Sequence, residues 1–466
     1  MLPRCSMDYR DILHPLGRHA IAYGFLGVRR QFAEARAQRL EYLQHAVWQH
    51  ADTGVDSGEL TGMEISEREL PQSATPARQL AQLSEPPPQP SIVPAPEPVP
   101  FMKLFVCDHC GNTVYFENAF CERCGHPLGY IPHRNALVSL AGNGGVWSTP
   151  AFPGDTYVFC ANARHGACNW LVPFNAGAEP YCAACRHNET IPDIADPRNL
   201  HRWQVIERAK KRLFYSLLQL RLPMQTRNED RVHGLSFRFL ADTPVAGLPV
   251  MTGHDSGIIT IALAEADDAE RESRRANMGE PYRTLLGHFR HEIGHHYWDL
   301  LVDGQSVWSG FTELFGNAAA DYGQALQSYY AGGAPMGWPQ SHISAYATAH
   351  PWEDFAETFG HYLHITDTVE MAGAFGVRAR PRTQDKHLDV ATIGFDPYMA
   401  PDFDVIIDHW VPLASMLNNL NRAMGHPDAY PFILTPQVIE KLAFVNSLVH
   451  GAPVRTQMAR LDNLAH

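Results

Sequence analysis

The sequence lacks long apolar segments. None of its 466 residues belongs to an apolar run that approaches the roughly 20 residues needed to span a bilayer. The amino-terminal stretch also lacks the basic-then-apolar order of a secretory signal, because the run 19–28 is short and mixed. These absences argue against a membrane-spanning or exported chain and favour the cytoplasm.

Basic residues are fewer than acidic residues. The chain has 37 Lys and Arg against 50 Asp and Glu, a formal net charge of −13. This balance argues against a large surface that follows nucleic-acid phosphates. One basic cluster falls on an expected helix with an apolar stripe, and a solvated outer face is favoured there over nucleic-acid contact. Its members are Arg202, Arg208, Lys210, Lys211 and Arg212.

Cysteine is uncommon, but its spacing is informative. Eight of the nine cysteines form two sets of four, which leaves Cys5 over. The sets are Cys107, Cys110, Cys121 and Cys124, and Cys160, Cys168, Cys182 and Cys185. In the first set both pairs have the spacing Cys-x2-Cys, with Gly111 and Gly125 for the turns and a strand at 113–116, which is typical of a zinc ribbon. In the second set only Cys182 and Cys185 have this spacing, and Cys160 and Cys168 form a looser pair. Disulfides are the alternative, disfavoured without an export signal. We expect one or two structural zinc ions.

The most informative segment is 291–295, which reads His-Glu-Ile-Gly-His inside a helical pattern. At about 100° per residue, His291, Glu292, His295 and Asp299 fall on one face of the helix. Two imidazoles one turn apart can bind one zinc ion, while Glu292 stays off the metal and serves as a base. A core helix with hydrogen-bonded histidines is the alternative, but it leaves two carboxylates on that stripe without a role.

The flanking residues support this helix. Pro281 can begin it, and apolar residues recur at spacings of three and four along its other flank. These are Leu285, Leu286, Phe289, Ile293, Tyr297 and Leu300. His288 also lies on the polar stripe, where it could support the ligands from behind, as Asp299 could, contact substrate, or be a structural histidine. His296 points away and is interpreted as structural.

A catalytic zinc normally takes a third protein ligand and leaves its fourth position to water. Pro351 can begin a second helix that carries Glu353 in its first turn and Glu357 one turn later. Glu353 is the best third ligand, and Glu357 is expected to support a ligand histidine from behind. Both carboxylates could instead simply favour the helix amino terminus. The competing third ligands are His350, His361 and His364.

Three segments resemble a bacterial family of zinc-binding metallopeptidases with amino-terminal zinc ribbons. They are 282–299, 344–347 and 350–359, and the likeness runs from Met102 nearly to the end of the chain. The chain departs from the family at 315–318, Phe-Gly-Asn-Ala, where acidic residues are usual. That departure bears on a local salt bridge rather than on the metal site.

A more distant similarity connects Tyr346 and the segment 353–357 with the catalytic domain of the lethal-factor toxin peptidases. In those enzymes the matching Glu is the third zinc ligand, and the matching Tyr stabilises the oxyanion. The resemblance therefore implies these two roles for Glu353 and Tyr346.

Residues 1–101 differ in composition from the rest. A possible helix over 29–50 is followed by polar sequence and by a proline-rich tract at 86–100, which cannot pack into a core. We expect 1–101 to be disordered. Because the family likeness begins at Met102, that residue is the expected natural start, and a genuine tail that recruits a partner is the alternative.

These features predict an α+β protein in three parts: a disordered extension at 1–101, tandem zinc ribbons at 102–195, and a mostly helical, zincin-like peptidase domain with a small sheet at 196–466. The run 257–263 is expected to be a strand, at an edge or in the interior, and 403–424 and 436–449 are expected to be helices. The polar run 380–389 is expected to be a loop.

The expected activity is hydrolysis of peptide bonds in a peptide or protein substrate. A zinc ion held by His291, His295 and Glu353 would lower the pKa of its bound water and polarise the scissile carbonyl. Glu292 would move the proton, and Tyr346 would donate to the oxyanion. Two alternatives remain: a non-catalytic zinc-binding scaffold, and a nucleic-acid-associated peptidase that uses its ribbons for binding.

Overall fold

The computed structural model describes residues 104–143, 145–175, 180–241, 250–278, 284–382 and 389–451. The expected disorder of 1–101, the helix at 29–50 and most of the loop at 380–389 lie outside these residues. Within them, short strands fill the cysteine-rich part and long helices fill the rest. The predicted α+β fold class, with a mostly helical second part, is confirmed.

The cysteine-rich part is built from short antiparallel strands. They are β1 (Leu104–Val106), β2 (Thr113–Tyr115), β3 (Leu128–Ile131), β4 (Ala136–Ser139), β5 (Ala141–Asn143), β6 (Val146–Ser148), β7 (Thr156–Phe159) and β8 (Leu171–Pro173). Strand β1 pairs with β2, β3 pairs with β4, and β5 to β8 form a four-stranded sheet in chain order. Gly111 and Gly125 have φ angles of 70° and 73°, a left-handed conformation that favours glycine in these turns.

A second four-stranded sheet combines a strand that follows the last cysteine with three strands from the helical part. Its strands are β9 (Asn188–Thr190), β10 (Ser236–Leu240), β11 (Gly253–Asp255) and β12 (Ile258–Ala262), in the order β11-β12-β10-β9. The strand expected over 257–263 is therefore interior, parallel to β10 and antiparallel to β11. Its Ile259 and Ile261 are fully buried.

The helices supply most of the remaining core. They are α1 (Pro197–Gln219), α2 (Asp268–Met278), α3 (Leu285–Leu301), α4 (Trp308–Phe315), α5 (Tyr322–Gly332), α6 (Pro351–Ala374), α7 (Phe403–Ala423) and α8 (Pro436–Val449). The predicted helices at the carboxyl end and the one beginning at Pro351 are confirmed. In contrast, α3 begins at Leu285 rather than at Pro281, which lies outside the described residues. The Thr284 hydroxyl caps it by accepting from the Gly287 amide. Among the helices described here, none is long and apolar enough to cross a membrane.

Helix α1 lies between the cysteine-rich part and the other helices. The expectation that its basic cluster forms a solvated face is therefore wrong for two members of that cluster. Lys210 and Lys211 are buried rather than on a solvated face, with 0% and 4% of their surface exposed. Lys210 Nζ lies 2.9 Å from Oε1 of Glu207, which is also buried, and Lys211 donates to the carbonyl of Ala167. Buried charges need partners of this kind. The apolar stripe in the sequence predicts one covered face, whereas α1 is covered on two sides, so the burial of these two lysines was not predicted.

Gly294 lies where α3 packs against α6. A Cβ atom at this position would lie 2.9 Å from the Cα of Ala356 and 3.1 Å from its carbonyl oxygen. These are backbone atoms, so they cannot move aside as a side chain could. The absence of a side chain therefore permits the close approach of the two helices.

Replacing Gly294 by Ala should overpack the core, which usually costs about 1–3 kcal/mol. A gain of about 1 kcal/mol in helix propensity offsets part of this cost, so the free energy of unfolding is expected to fall by up to about 2 kcal/mol. Gly360 on α6 is a matched control, because a Cβ there would lie at ordinary contact distances of 3.5–3.6 Å from α3. Denaturant unfolding of the two variants measures the difference. A Gly294→Ala protein as stable as Gly360→Ala would contradict this packing.

Candidate metal centre

Helix α3 presents His291 and His295 one turn apart. Their Nε2 atoms lie 3.1 Å from each other, and the two residues are 6% and 0% exposed. The Trp352 ring lies against that of His295, with 3.6 Å between centroids. Glu292, between the two histidines on the same helix, is also fully buried. The two imidazoles therefore point into one small, water-poor space.

Helix α6 brings a carboxylate to the same place. His350 caps this helix by accepting from the Trp352 amide, and Pro351 occupies its first turn. Glu353 follows, with its Oε2 atom 3.2 Å from His291 Nε2 and 3.4 Å from His295 Nε2. Tetrahedral zinc with bonds of 2.0–2.1 Å places its ligand atoms about 3.3–3.4 Å apart. The three donor atoms therefore fit one such ion.

The electrostatics of this cluster favour a cation. Burial lowers the pKa of His295 to about 4, so this imidazole is neutral. Burial alone would raise the pKa of Glu353, but the two histidines outweigh it and hold that pKa far below its usual range. For His291 the carboxylates of Glu353 and Glu357 outweigh burial and raise the pKa well above its usual value. A neutral imidazole and an ionised carboxylate are the forms that bind a metal, so a cation at this cluster would replace the proton that the carboxylates hold on His291.

Glu357 lies behind His291, as the sequence predicts for a supporting group. Its Oε1 accepts from His291 Nδ1 at 2.7 Å, and its Oε2 accepts from the Ser344 hydroxyl at 2.6 Å. Because a carboxylate only accepts, His291 Nδ1 carries a proton and donates it to Glu357. A metal ion would replace the proton on Nε2, which faces the centre of the cluster, the arrangement common to metal-binding histidines.

Tyr322 holds the other oxygen of Glu353. Its hydroxyl donates to Oε1 at 2.5 Å, and the residue is 2% exposed at the start of α5. Sequence reasoning missed Tyr322, because no spacing rule connects it with a residue 31 positions away. It also gave no role to Ser344, although that residue lies in a segment that carries the family likeness.

Tyr346 lies in the short 3₁₀ turn Tyr346–Ala349 directly before α6. Its ring centroid is 6.1 Å from that of His291. The phenol is therefore a near neighbour of the cluster and can present a hydroxyl to a group bound there.

The other predicted residues lie farther from the three donor atoms. His288 Nδ1 is 3.2 Å from Glu265 Oε2, so this side chain is engaged by a carboxylate outside the cluster. Asp299 Oδ2 lies 3.9 Å from His254 Nε2, and the ring of His254 stacks 6.1 Å from that of His295. Burial, with neighbouring acidic groups, raises the pKa of Asp299 to about 8.

The competing third ligands are engaged elsewhere. His350 caps α6, and its Nε2 faces the Ala320 carbonyl at 3.3 Å. His361 Nδ1 pairs with the Tyr430 hydroxyl at 2.9 Å. His364 Nδ1 lies 3.4 Å from an Arg290 nitrogen. Among the residues that the structure describes, Glu353 is the third member that clusters with His291 and His295.

The eight cysteines after residue 103 form two clusters, as their spacing predicts. In the first, Cys107 and Cys124 are 3.7 Å apart between sulfurs, and Cys110 and Cys121 are 3.6 Å apart. In the second, which also contains Cys160 and Cys185, Cys168 and Cys182 are 3.7 Å apart. Disulfides need about 2.05 Å, so this alternative is wrong for these cysteines, whereas tetrahedral zinc with 2.3 Å bonds needs about 3.8 Å. Cys5 lies outside the described residues.

Comparison with known proteins agrees with this arrangement. Residues 199–448 match a family model described as "Putative zinc-binding metallo-peptidase", and residues 104–196 match a zinc-ribbon domain. The chain is 43% identical over 350 residues to uncharacterized proteins of Mycobacterium tuberculosis and Mycobacterium bovis, which covers 75% of this chain and 95% of each relative. No solved structure gives a significant match. The chain therefore belongs to this zinc-binding metallopeptidase family and carries a zinc-ribbon domain ahead of the residues that match the family model.

Proposed function

We propose that this protein is a zinc-dependent peptidase whose zinc ion is held by His291, His295 and Glu353. The observation that supports this most directly is the spacing of their donor atoms, 3.1, 3.2 and 3.4 Å, at the contact of two helices. When bound there, zinc supplies Lewis acidity, which polarises a carbonyl and lowers the pKa of water.

The protein's own groups handle the proton and the developing charge. Glu292 adjoins His291 on α3 and is fully buried, which supports its role as the base that takes a proton from the attacking water and passes it to the leaving amine. Tyr346 donates a hydrogen bond to the oxyanion, an interaction worth about 2.7–4 kcal/mol for single donors in other enzymes. The substrate is a peptide or protein.

We further propose that both cysteine clusters hold structural zinc, within a ribbon region at 102–195 that precedes a peptidase domain at 196–466. A small β unit buries too little apolar surface to fold alone, so metal binding supplies folding energy. Cysteines without disulfide bonds are typical of a reducing compartment, which supports a cytoplasmic location. The burial of Lys210 and Lys211 weakens the nucleic-acid alternative.

Replacing Glu292 by Gln is expected to keep the catalytic zinc and to lower kcat/KM by about 10²–10⁴, because the amide cannot accept the proton. The activity is measured on a mixed library of quenched fluorescent peptides. Glu313→Gln, on the exposed side of α4, is the matched control and should leave the rate unchanged. Wild-type turnover by the Glu292→Gln protein would rule out this residue as the base.

Replacing Glu357 by Gln is expected to weaken catalytic zinc binding by about 10–100-fold, because groups behind a ligand histidine set its orientation and basicity. Ser344→Ala should have a smaller effect, since Ser344 reaches His291 only through Glu357. Chelator competition on the full chain measures both dissociation constants. Equal zinc affinity in wild type and Glu357→Gln, or a larger loss in Ser344→Ala, would contradict the arrangement.

A further inference from the structure

The two carboxylate oxygens of Glu353 make different contacts. Oε2 faces the two ligand nitrogens, whereas Oε1 accepts from the Tyr322 hydroxyl. A free carboxylate can rotate and offer both oxygens to a cation. Here one oxygen is already used by a buried, charge-assisted hydrogen bond, which is a strong kind of contact.

The fold fixes Tyr322 in this position from both sides. Asp321 caps α5 by accepting from the Gln324 amide, so Tyr322 is the first residue of that helix. His350 connects the starts of α5 and α6. Its Nδ1 accepts from the Trp352 amide, so its proton lies on Nε2, which donates to the Ala320 carbonyl. Two helix caps therefore place the phenol opposite the carboxylate.

Aromatic packing restrains the phenol further. The Tyr322 ring lies edge-on to the rings of His350 and Trp352, with centroid distances of 5.3 and 5.4 Å. Trp352 in turn packs against the ligand His295. Movement of the Tyr322 ring would therefore disturb a ligand as well as the helix cap.

We propose that Tyr322 is a positioning residue that makes Glu353 a one-oxygen ligand and so keeps the remaining zinc position open for solvent. This inference rests on the metal centre of the proposed function, but it does not depend on which bond is hydrolysed. Loss of the hydroxyl would free Oε1 to turn towards the metal. The geometry of the centre would then change, although all three ligand residues remain.

The test uses the full chain with Tyr322→Phe, which removes the hydroxyl and keeps the ring. Tyr362→Phe is the matched control, because Tyr362 is equally buried on α6 and its hydroxyl donates to Asn446 instead. Chelator competition should give about 10–100-fold weaker catalytic zinc in Tyr322→Phe. The control should bind that zinc as wild type does.

A spectroscopic measurement separates positioning from general destabilisation. After a chelator has removed the exchangeable zinc, Co²⁺ is placed in the centre, and the intensity of its visible absorption reports the coordination number, because four-coordinate Co²⁺ absorbs more strongly than five-coordinate Co²⁺. Tyr322→Phe should lose intensity, whereas Tyr362→Phe should match wild type. If Tyr322→Phe is less stable, the zinc-dependent rise in its Tm still reports affinity for the folded state.

The inference is overturned if Tyr322→Phe binds zinc as tightly as the control, or if its Co²⁺ spectrum equals that of wild type. Failure of the proposed function has a different signature. In that case wild type would show normal zinc and Co²⁺ binding at the centre, together with no hydrolysis of any peptide in the library.

Discussion

The close contact between α3 and α6 is the constraint on which the rest of the structure depends. Metal bonds of about 2 Å tolerate little error, so the two helices must approach until a carboxylate of one meets two imidazoles of the other. Gly294 permits this approach, because it exposes the backbone of α3 to that of Ala356. Gly294, which separates the two histidines from each other in the 291–295 motif, is therefore needed for the packing of the two helices.

Burying a charge is costly, and this protein repeatedly offsets that cost across helix contacts. Arg290, next to His291, pairs with Asp367 on α6. Asp354, next to Glu353, accepts from Lys441 on α8 at 2.6 Å. Each helix that carries a proposed zinc ligand therefore has an ion pair beside the cluster, which connects that helix to a neighbouring one.

Local spacing predicted the parts of the site that depend on one helix or one turn. The pair His291 and His295, the carboxylate in the first turn after Pro351, and the paired cysteines are all of this kind. Other contacts set by tertiary packing have no signal in the sequence pattern and were not predicted. Tyr322 contacts Glu353 from a different helix. Lys210 is buried because α1 is covered on two sides. His288 lies against Glu265, which belongs to an earlier segment of the chain.

Zinc content per chain tests the central claim most directly. Elemental analysis of the full chain, purified without added metal chelators, should give three zinc ions in wild type and two in His295→Ala, since the cysteine clusters would keep theirs. This result would assign one ion to the contact of α3 and α6. Equal zinc content in wild type and His295→Ala would contradict the account.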